Sequence, residues 1–230
     1  LTRVDRAAAV FLQAWILGKG PMTVFPLEAG AYLRGAGADL SNIQSHFLTA
    51  LSSATVRFNP FKTLSNSGSG FMANASLMRP ASRGRLKLTH RDYGAPLDIS
   101  VNYLSDPRDV EQLVDAVEML RDVFSQKSFD DYRGAEISPG ANLKTRSEIK
   151  AWVKHNASTV HHHCGSCRMG SDSESVEDQE LKVRGVEGLR IADASVFPSI
   201  PSTNTAATTI MVAEKAADLI LGNKSPTRPN

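Results

Sequence analysis

A ten-residue stretch contains several histidine and cysteine residues, whose side chains can transfer protons, bind metals or undergo redox reactions. It reads HHHCGSCRMG over residues 161–170 and holds three of the six histidines together with Cys164 and Cys167, the only cysteines in the chain. Imidazole titrates near neutral pH, and cysteines separated by two residues can ligate a metal or cycle as a redox pair. The spacing therefore leaves a metal site, a redox dithiol and part of some other active site open.

A structural zinc site needs four ligands within tetrahedral reach of the metal. Cys164 and Cys167 have the required separation, but the neighbouring histidines adjoin Cys164 directly and the chain has no second cysteine pair. His90 or His155 could complete the ligand set only through folding. The spacing disfavours zinc, and a zinc-binding module at HHHCGSC stays an alternative function.

A redox dithiol works at a helix N-terminus, where the thiol pKa is lowered. The residues STVHHH precede Cys164 and RMGSDSESV follows Cys167, and neither pattern indicates the strand and helix that such a pair needs. Core or loop residues without a chemical role are the remaining interpretation, although three consecutive histidines are costly to bury without partners.

Amphipathic patterns predict four helices around this stretch. The first covers residues 5–17, and the second begins after Asp106, an N-cap followed by proline at the first helical position. The third covers 146–155 with Ser147 as its cap, and the fourth covers TNTAATTIMVAEKAADLILG, residues 203–222, and ends at Gly222. The second helix has the most regular apolar stripe: Val110, Leu113, Val114, Val117, Leu120 and Val123.

Alternating and short apolar runs predict five strands. They cover residues 71–79, 84–92, 96–104, 181–185 and 189–198. Residues 38–70 have a mixed pattern that predicts no element, and they end in a loop at SNSGSG.

The bulk composition is typical of a soluble globular protein. The chain has 230 residues, 41% hydrophobic and 22% charged, with a net charge of +2. No basic block or aromatic-interleaved basic face is visible, so nucleic acid is a poor candidate partner. The longest apolar run, residues 7–17, is interrupted by Gln13 and is too short to span a membrane.

The compartment stays open at this stage. Asn74 and Asn156 begin N-x-S glycosylation triplets, which would matter only in a secreted protein. The sequence begins without Met and already in a helical pattern. We therefore expect the chain to be the later part of a longer protein.

Several sequence pieces in order resemble the glucose–methanol–choline (GMC) family of flavin oxidoreductases. HHHCGSCRMG is similar to the family's H-P-x-G-T-C-R-M-G segment, and the stretch from LKVRGVEGLRIADASV to the last helix is similar to its C-terminal signature. GKGPMT, MRPASRGRLKL and NYLSDPRDVEQLVDAVEMLRDV match upstream in the same order. The resemblance covers nearly the whole chain and is weakest over 30–70 and 127–145.

The resemblance implies an α/β fold with α+β character. Residues 1–160 would be mostly a substrate-binding domain with an antiparallel sheet and flanking helices. Residues 161–230 would carry the catalytic histidine segment and the last strands and helix of a Rossmann-like FAD domain. The G-x-G-x-x-G motif that holds the FAD phosphates is missing, because Gly35-Ala-Gly lacks a third glycine. We therefore expect an N-terminal FAD-binding half as partner, in the same protein or as a separate chain.

Alignment on the family motif implies two catalytic residues. His162 falls at the catalytic histidine, the base and acid of the reaction, and His163 stands where proline is usual. Asn204 falls at the second catalytic position, which is His or Asn in relatives. An Asn before a helix is also a common N-cap, and Asn204 could serve both roles. Cys167 matches a family cysteine that serves packing, which makes the cysteine pair incidental.

The same alignment implies four residues that contact FAD and no metal ligand. Thr205 and Ala206 would line the pyrimidine side of the flavin. Asp193 and Ala194, in IADAS, match positions that touch FAD. Without the resemblance, Asp193 is a turn residue that accepts hydrogen bonds from local N–H groups.

The implied chemistry is the oxidation of a small-molecule alcohol, which removes a hydroxyl proton and a carbon-bound hydride. Neutral imidazole, with an unperturbed pKa of about 6.5, can accept the proton near neutral pH, and N5 of FAD takes the hydride. Asn204 would hold the hydroxyl oxygen. FAD-containing hydroxynitrile lyases and a light-driven fatty-acid decarboxylase share the scaffold, and they are the alternatives to an alcohol oxidase or dehydrogenase.

Overall fold

The protein divides into two compact units in a computed structural model that describes residues 4–20, 23, 27, 29–49 and 70–223. The first unit comprises Leu1–Ser76 and Val114–Ile149, and the second comprises Leu77–Leu113 and Lys150–Asn230. Four α-helices and two small sheets in the described part confirm the mixed α/β class. The functional division of the chain at residue 160 stays a prediction.

Helix α1, Val4–Leu17, confirms the first predicted helix. It ends where Gly18 takes a φ of 59° and donates its N–H to Ala14 O at 3.0 Å, a conformation that glycine adopts without steric cost. Large apolar side chains of α1 are exposed, and Trp15 is 77% accessible. Across the described residues, no helix combines the length and the apolar character needed to cross a bilayer.

A three-stranded sheet in the order β1-β2-β3 forms the first unit's framework. Its strands are β1 Ala29–Leu33, β2 Ile43–Leu48 and β3 Met72–Leu77. Strand β3 confirms the strand predicted over 71–79, whereas β1 and β2 were not predicted. The predicted SNSGSG loop lies almost wholly outside the described residues.

Four phenylalanine rings pack together in the first unit. Phe47 of β2 and Phe71 lie near Phe124 and Phe129, and the paired ring centroids are 5.2 to 6.2 Å apart. Tilted and edge-on ring pairs add about 0.5–1.5 kcal/mol each beyond their apolar burial. This cluster therefore packs the sheet against the segment that contains Phe124 and Phe129.

Helix α2, Pro107–Ser125, confirms the second predicted helix and its cap. Asp106 Oδ1 accepts the backbone N–H of Arg108 at 2.9 Å, which satisfies one of the helix's unpaired amides. Val110 and Val114 of the predicted apolar stripe are buried.

Helix α3, Arg146–Asn156, confirms the third predicted helix but not the predicted cap. Thr145, not Ser147, precedes the helix, and its Oγ1 accepts the N–H of Glu148 at 3.2 Å. Glu148 returns the bond, because its Oε2 accepts the N–H of Thr145 at 2.9 Å. These reciprocal bonds form a capping box, and Ser147 lies inside the helix.

The second unit contains a two-stranded antiparallel ribbon of β4, Arg85–Lys87, and β5, Asp98–Ser100. Leu86 lies opposite Ile99 in the register, and both side chains are exposed. Both strands are shorter than the predicted ranges 84–92 and 96–104.

The strands predicted over 181–185 and 189–198 are wrong. This region forms isolated bridges, including Glu177 with Val183, and a 3₁₀ turn at Ala194–Val196. Asp178 Oδ1 accepts the backbone N–H of Lys182 at 3.0 Å, and this local side-chain bond competes with strand pairing.

Helix α4, Thr205–Leu221, confirms the last predicted helix. It ends at Gly222, which has a φ of 71° and donates its N–H to Asp218 O. One face of α4, with Val212 and Ala216, packs on Leu181, Val196 and Phe197 of the preceding loops. The buried core of this part consists of Leu181, Val196, Phe197, Val212 and Ala216.

Candidate active site

The HHHCGSCRMG stretch is held against the 3₁₀ turn Ala194–Val196 by backbone hydrogen bonds. Three alternate N–H groups of the stretch donate to three successive carbonyls of the turn. The pairs are Gly165 N to Ala194 O at 3.3 Å, Cys167 N to Ser195 O at 2.9 Å and Met169 N to Val196 O at 2.8 Å. Gly165 has a φ of 85°, and an added Cβ would lie 2.9 Å from Phe197 O, so the close approach needs glycine here.

The structure brings His162 and Asn204 into direct contact. His162 Nε2 lies 2.8 Å from Asn204 Nδ2, although the two residues are 42 positions apart in the sequence. Asn204 occupies the N-cap position of α4, yet its side chain makes no capping hydrogen bond to the helix. The side chain is directed to the imidazole instead. Asn204 therefore stands at the N-cap position that the sequence predicted, but its side chain does not act as the cap.

The other imidazole nitrogen of His162 contacts Thr205. Thr205 Oγ1 lies 3.1 Å from His162 Nδ1, and Thr205 is buried at the first position of α4. The sequence prediction placed Thr205 beside the flavin and missed this contact. Its only sequence signal is the adjacency of Thr205 to Asn204, because a contact over 43 positions follows from tertiary folding.

The remaining predicted cofactor residues take different environments. Asp193 Oδ1 accepts the N–H of Ser195 at 2.7 Å and so caps the 3₁₀ turn, as its interpretation as a turn residue predicts. Ala194 is half-buried against the core, and Ala206 is exposed in the first turn of α4. FAD contact by these residues stays a prediction.

His163, at the position where proline was expected, pairs with Tyr103. The Tyr103 hydroxyl is hydrogen bonded to His163 Nε2, and the two rings stack with centroids 5.8 Å apart and planes at 28°. No sequence pattern indicated a role for Tyr103. The first histidine of the stretch, His161, is exposed and takes a φ of 61°. Its backbone N–H donates to Thr159 Oγ1.

The cysteines have no metal-site geometry in the part of the chain that the structure describes, where no group of three or more His, Cys, Asp or Glu side chains could hold a metal ion. Burial raises the pKa of the Cys164 thiol, and the nearby Arg83 guanidinium opposes this rise. A raised pKa is opposite to the low pKa of a redox-active thiol.

Comparison with known proteins identifies the family. The model of the GMC oxidoreductase family matches residues 80–213, which is more than half of the chain. The chain belongs to the GMC oxidoreductase family. The matched residues include both the histidine stretch and the start of α4, and the family resemblance drawn from the sequence is confirmed.

Curated GMC relatives are similar over most of this chain. An oxygen-dependent choline dehydrogenase from Photobacterium profundum is 40% identical over 220 residues, covering 94% of this chain and 38% of the relative. Its counterpart from Chromohalobacter salexigens is 43% identical over 183 residues, covering 80% of this chain and 32% of the relative. The chain thus spans well under half the length of these relatives.

Solved GMC structures share the fold. Pyridoxine 4-oxidase from Mesorbium loti superposes with a TM-score of 0.73 at 26% identity, covering 85% of this chain and 38% of the other. An FAD-dependent oxidoreductase from Chaetomium thermophilum superposes with a TM-score of 0.65 at 24% identity, covering 95% of this chain and 36% of the other, and shows the fold alone. FAD is the cofactor of GMC neighbours, as the sequence predicted for the family.

Proposed function

We propose that this chain is the C-terminal portion of an FAD-dependent alcohol oxidoreductase in which His162 and Asn204 act together on the substrate hydroxyl. The contact of 2.8 Å between His162 Nε2 and Asn204 Nδ2 carries the proposal. It joins a proton acceptor and a hydrogen-bond donor at one point. Oxidation of an alcohol needs these two groups at the reacting oxygen.

The proton of the alcohol passes to His162 Nε2. The alcohol O–H takes the place of the Asn204 N–H as the donor to this nitrogen, and the amide N–H of Asn204 then donates to the alcohol oxygen as negative charge develops on it. When bound, FAD supplies the acceptor for the hydride from the alcohol carbon. The alcohol thereby loses one proton and one hydride and becomes the carbonyl product.

The residues at the start of α4 fit a flavin ring. The Asn204 side chain does not cap the helix, and Ala206 is small and exposed. The helix N-terminus therefore presents amide N–H groups and the positive end of its dipole, which favour an electron-rich or anionic ring. The phosphate-binding motif would come from an N-terminal FAD-binding half.

Choline is the first alcohol to test, because the similar curated proteins are oxygen-dependent choline dehydrogenases at 40% and 43% identity. Choline carries a primary hydroxyl that the His162–Asn204 pair can activate. Secretion, which the triplets at Asn74 and Asn156 would allow, stays a prediction.

The test is anaerobic mixing of choline with the complete FAD-loaded protein, followed by the visible flavin absorbance. We expect loss of the flavin band in the wild type. Replacing the base, His162→Gln, should slow this step by about 10²–10⁴-fold. Removing the donor, Asn204→Leu, should slow it by about 10²–10³-fold.

The matched control is His161→Gln, since His161 is exposed and its backbone N–H, not its imidazole, donates to Thr159 Oγ1. This variant should keep the wild-type rate. A flavin-containing wild type that no alcohol bleaches, but that releases aldehyde from a cyanohydrin, would replace the proposal with a lyase.

A further inference from the structure

We propose that Thr205 is a positioning residue that holds neutral His162 in the tautomer with its proton on Nδ1. This tautomer leaves the Nε2 lone pair directed to Asn204, where the substrate hydroxyl enters. The inference deepens the proposed function and rests on it for the role of His162 in catalysis. It extends the active site by a residue that touches the base on the side away from the alcohol.

The donor inventory around the imidazole determines the tautomer. His162 Nε2 faces Asn204 Nδ2 at 2.8 Å, and an amide nitrogen only donates, so Nε2 is the acceptor. A neutral imidazole carries a single N–H, which must then be on Nδ1. Nδ1 lies 3.1 Å from Thr205 Oγ1, and a hydroxyl oxygen can accept this N–H. A hydroxyl can donate or accept, so the Asn204 amide sets Nε2 as the acceptor, and the Thr205 hydroxyl then accepts the N–H that stays on Nδ1.

The surroundings of Thr205 limit the directions that its side-chain hydroxyl can take. It is buried, with 9% of its surface exposed, whereas its neighbour Asn204 is exposed. Its β-branched side chain has few rotamers in a helix, and its carbonyl accepts the Thr209 hydroxyl at 2.8 Å one turn later. The buried, β-branched side chain therefore leaves Oγ1 few alternative directions, and the bond to the Thr205 carbonyl fixes only the backbone at this position.

A base with the wrong tautomer presents an N–H to the alcohol and cannot accept its proton. Only the fraction of enzyme with a free Nε2 lone pair then reacts. The fraction falls when the bond to Nδ1 is lost, whereas the contacts that bind the alcohol are unchanged. The expected signature is a lower kcat with a nearly constant KM.

Two variants separate the hydroxyl from the shape of the side chain. Thr205→Val keeps the branched shape and removes the acceptor, and Thr205→Ser keeps the acceptor. Both are made in the complete FAD-loaded protein with ¹⁵N-labelled histidine. Two-bond ¹H–¹⁵N correlation spectra distinguish the two tautomers, and His162→Gln assigns the signal. Spectra are recorded over a range of alkaline pH, and the tautomer is determined from signals that no longer change with pH.

We expect the Nδ1–H tautomer for His162 in the wild type and in Thr205→Ser, and a shift toward the Nε2–H tautomer in Thr205→Val. With choline, kcat should fall about tenfold in Thr205→Val and recover in Thr205→Ser, which is the size expected for one hydrogen bond. Flavin content and melting temperature are measured for each variant. If the valine variant does not fold, Thr205→Ala with the same spectra takes its place.

An Nε2–H tautomer in the wild type would overturn the inference, and so would an Nδ1–H tautomer that persists without the hydroxyl. The spectra need no turnover. If the tautomers follow Thr205 while no alcohol reduces the flavin, the positioning role stands and the proposed function fails.

Discussion

Glu177 accepts the backbone N–H of Ile191 with Oε1 at 2.7 Å, and its other oxygen, Oε2, has no hydrogen-bond partner. The side chain is fully buried, at 0% exposure. Burial raises the pKa of this carboxyl group, and the bond from Ile191 opposes the rise only in part. The folded protein therefore binds the proton of Glu177 more tightly than the unfolded chain does.

Stability should fall as pH rises through the folded-state pKa of Glu177. Because this pKa lies above the unfolded value, the folded state binds the proton more tightly, and the contribution is complete below the unfolded pKa. The neutral variant Glu177→Gln should flatten this part of the profile and gain stability relative to the wild type toward neutral pH. Chemical denaturation between about pH 4 and pH 8 measures it.

Asp178 is the matched control, one residue away with the opposite sign. Its pKa is lowered, first by the N–H of Lys182 and also by the N–H of Glu180. Its contribution is present above the unfolded pKa and is lost as pH falls. Asp178→Asn should therefore lose stability toward neutral pH. Two variants with the same slope would contradict the assignment of Glu177.

The Asp109 carboxylate fixes the turn before β4. It is 1% exposed, and it accepts the backbone N–H groups of Ala81 at 2.7 Å and Ser82 at 2.8 Å. Asp109→Ala leaves both donors without an acceptor. We expect a loss of about 2–4 kcal/mol in the free energy of unfolding.

Asp92 provides the control for Asp109, since it is exposed and its carboxylate accepts a long bond of 3.4 Å from Gly94 N. Asp92→Ala should change stability by less than about 0.5 kcal/mol. Equal losses in the two variants would mean that the turn does not depend on Asp109.

The capping box at α3 gives a prediction that separates two neighbouring hydroxyl residues. Thr145 bonds the N–H of Glu148, whereas Ser147 lies within the helix. Thr145→Ala should cost about 1 kcal/mol of stability, and Ser147→Ala should cost little or add slightly, because alanine has the higher helix propensity. Urea denaturation of both variants checks the difference. A larger loss for the serine variant would restore Ser147 as the cap.

The sequence located elements better than it located their ends. The apolar stripe that contains Val110 and Val114 predicted α2, because a helix with one buried face has apolar residues every three or four positions in its own sequence. The cap of α3 was misplaced by two residues, although Thr145-Arg-Ser-Glu148 carries the capping-box pattern. The pair β1 and β2 was missed because Ala29–Leu33 and Ile43–Leu48 lack a clear alternation and depend on each other for pairing.

In the candidate site too, some residues could be predicted from the sequence and others could not. Resemblance to a family motif placed His162 and Asn204, and the structure brings them to 2.8 Å. Two further contacts could not be predicted, because they depend on side-chain directions in the folded protein. Thr205 contacts Nδ1 of His162, and Tyr103 contacts His163. No spacing rule in the sequence connects residues 60 positions apart, as Tyr103 and His163 are.

The Cys164 thiol should react slowly with alkylating agents. Its raised pKa, caused by burial, leaves less thiolate near neutral pH than a free cysteine of pKa about 8.5 has. We expect Cys167→Ser, which isolates this thiol, to react with iodoacetamide more slowly than glutathione does at pH 7.5, and faster as the pH is raised. Arg83→Gln should slow the reaction further, since Arg83 lowers the thiol pKa. Rapid alkylation below pH 7 would instead indicate a stabilised thiolate and would favour the redox interpretation of the cysteine pair.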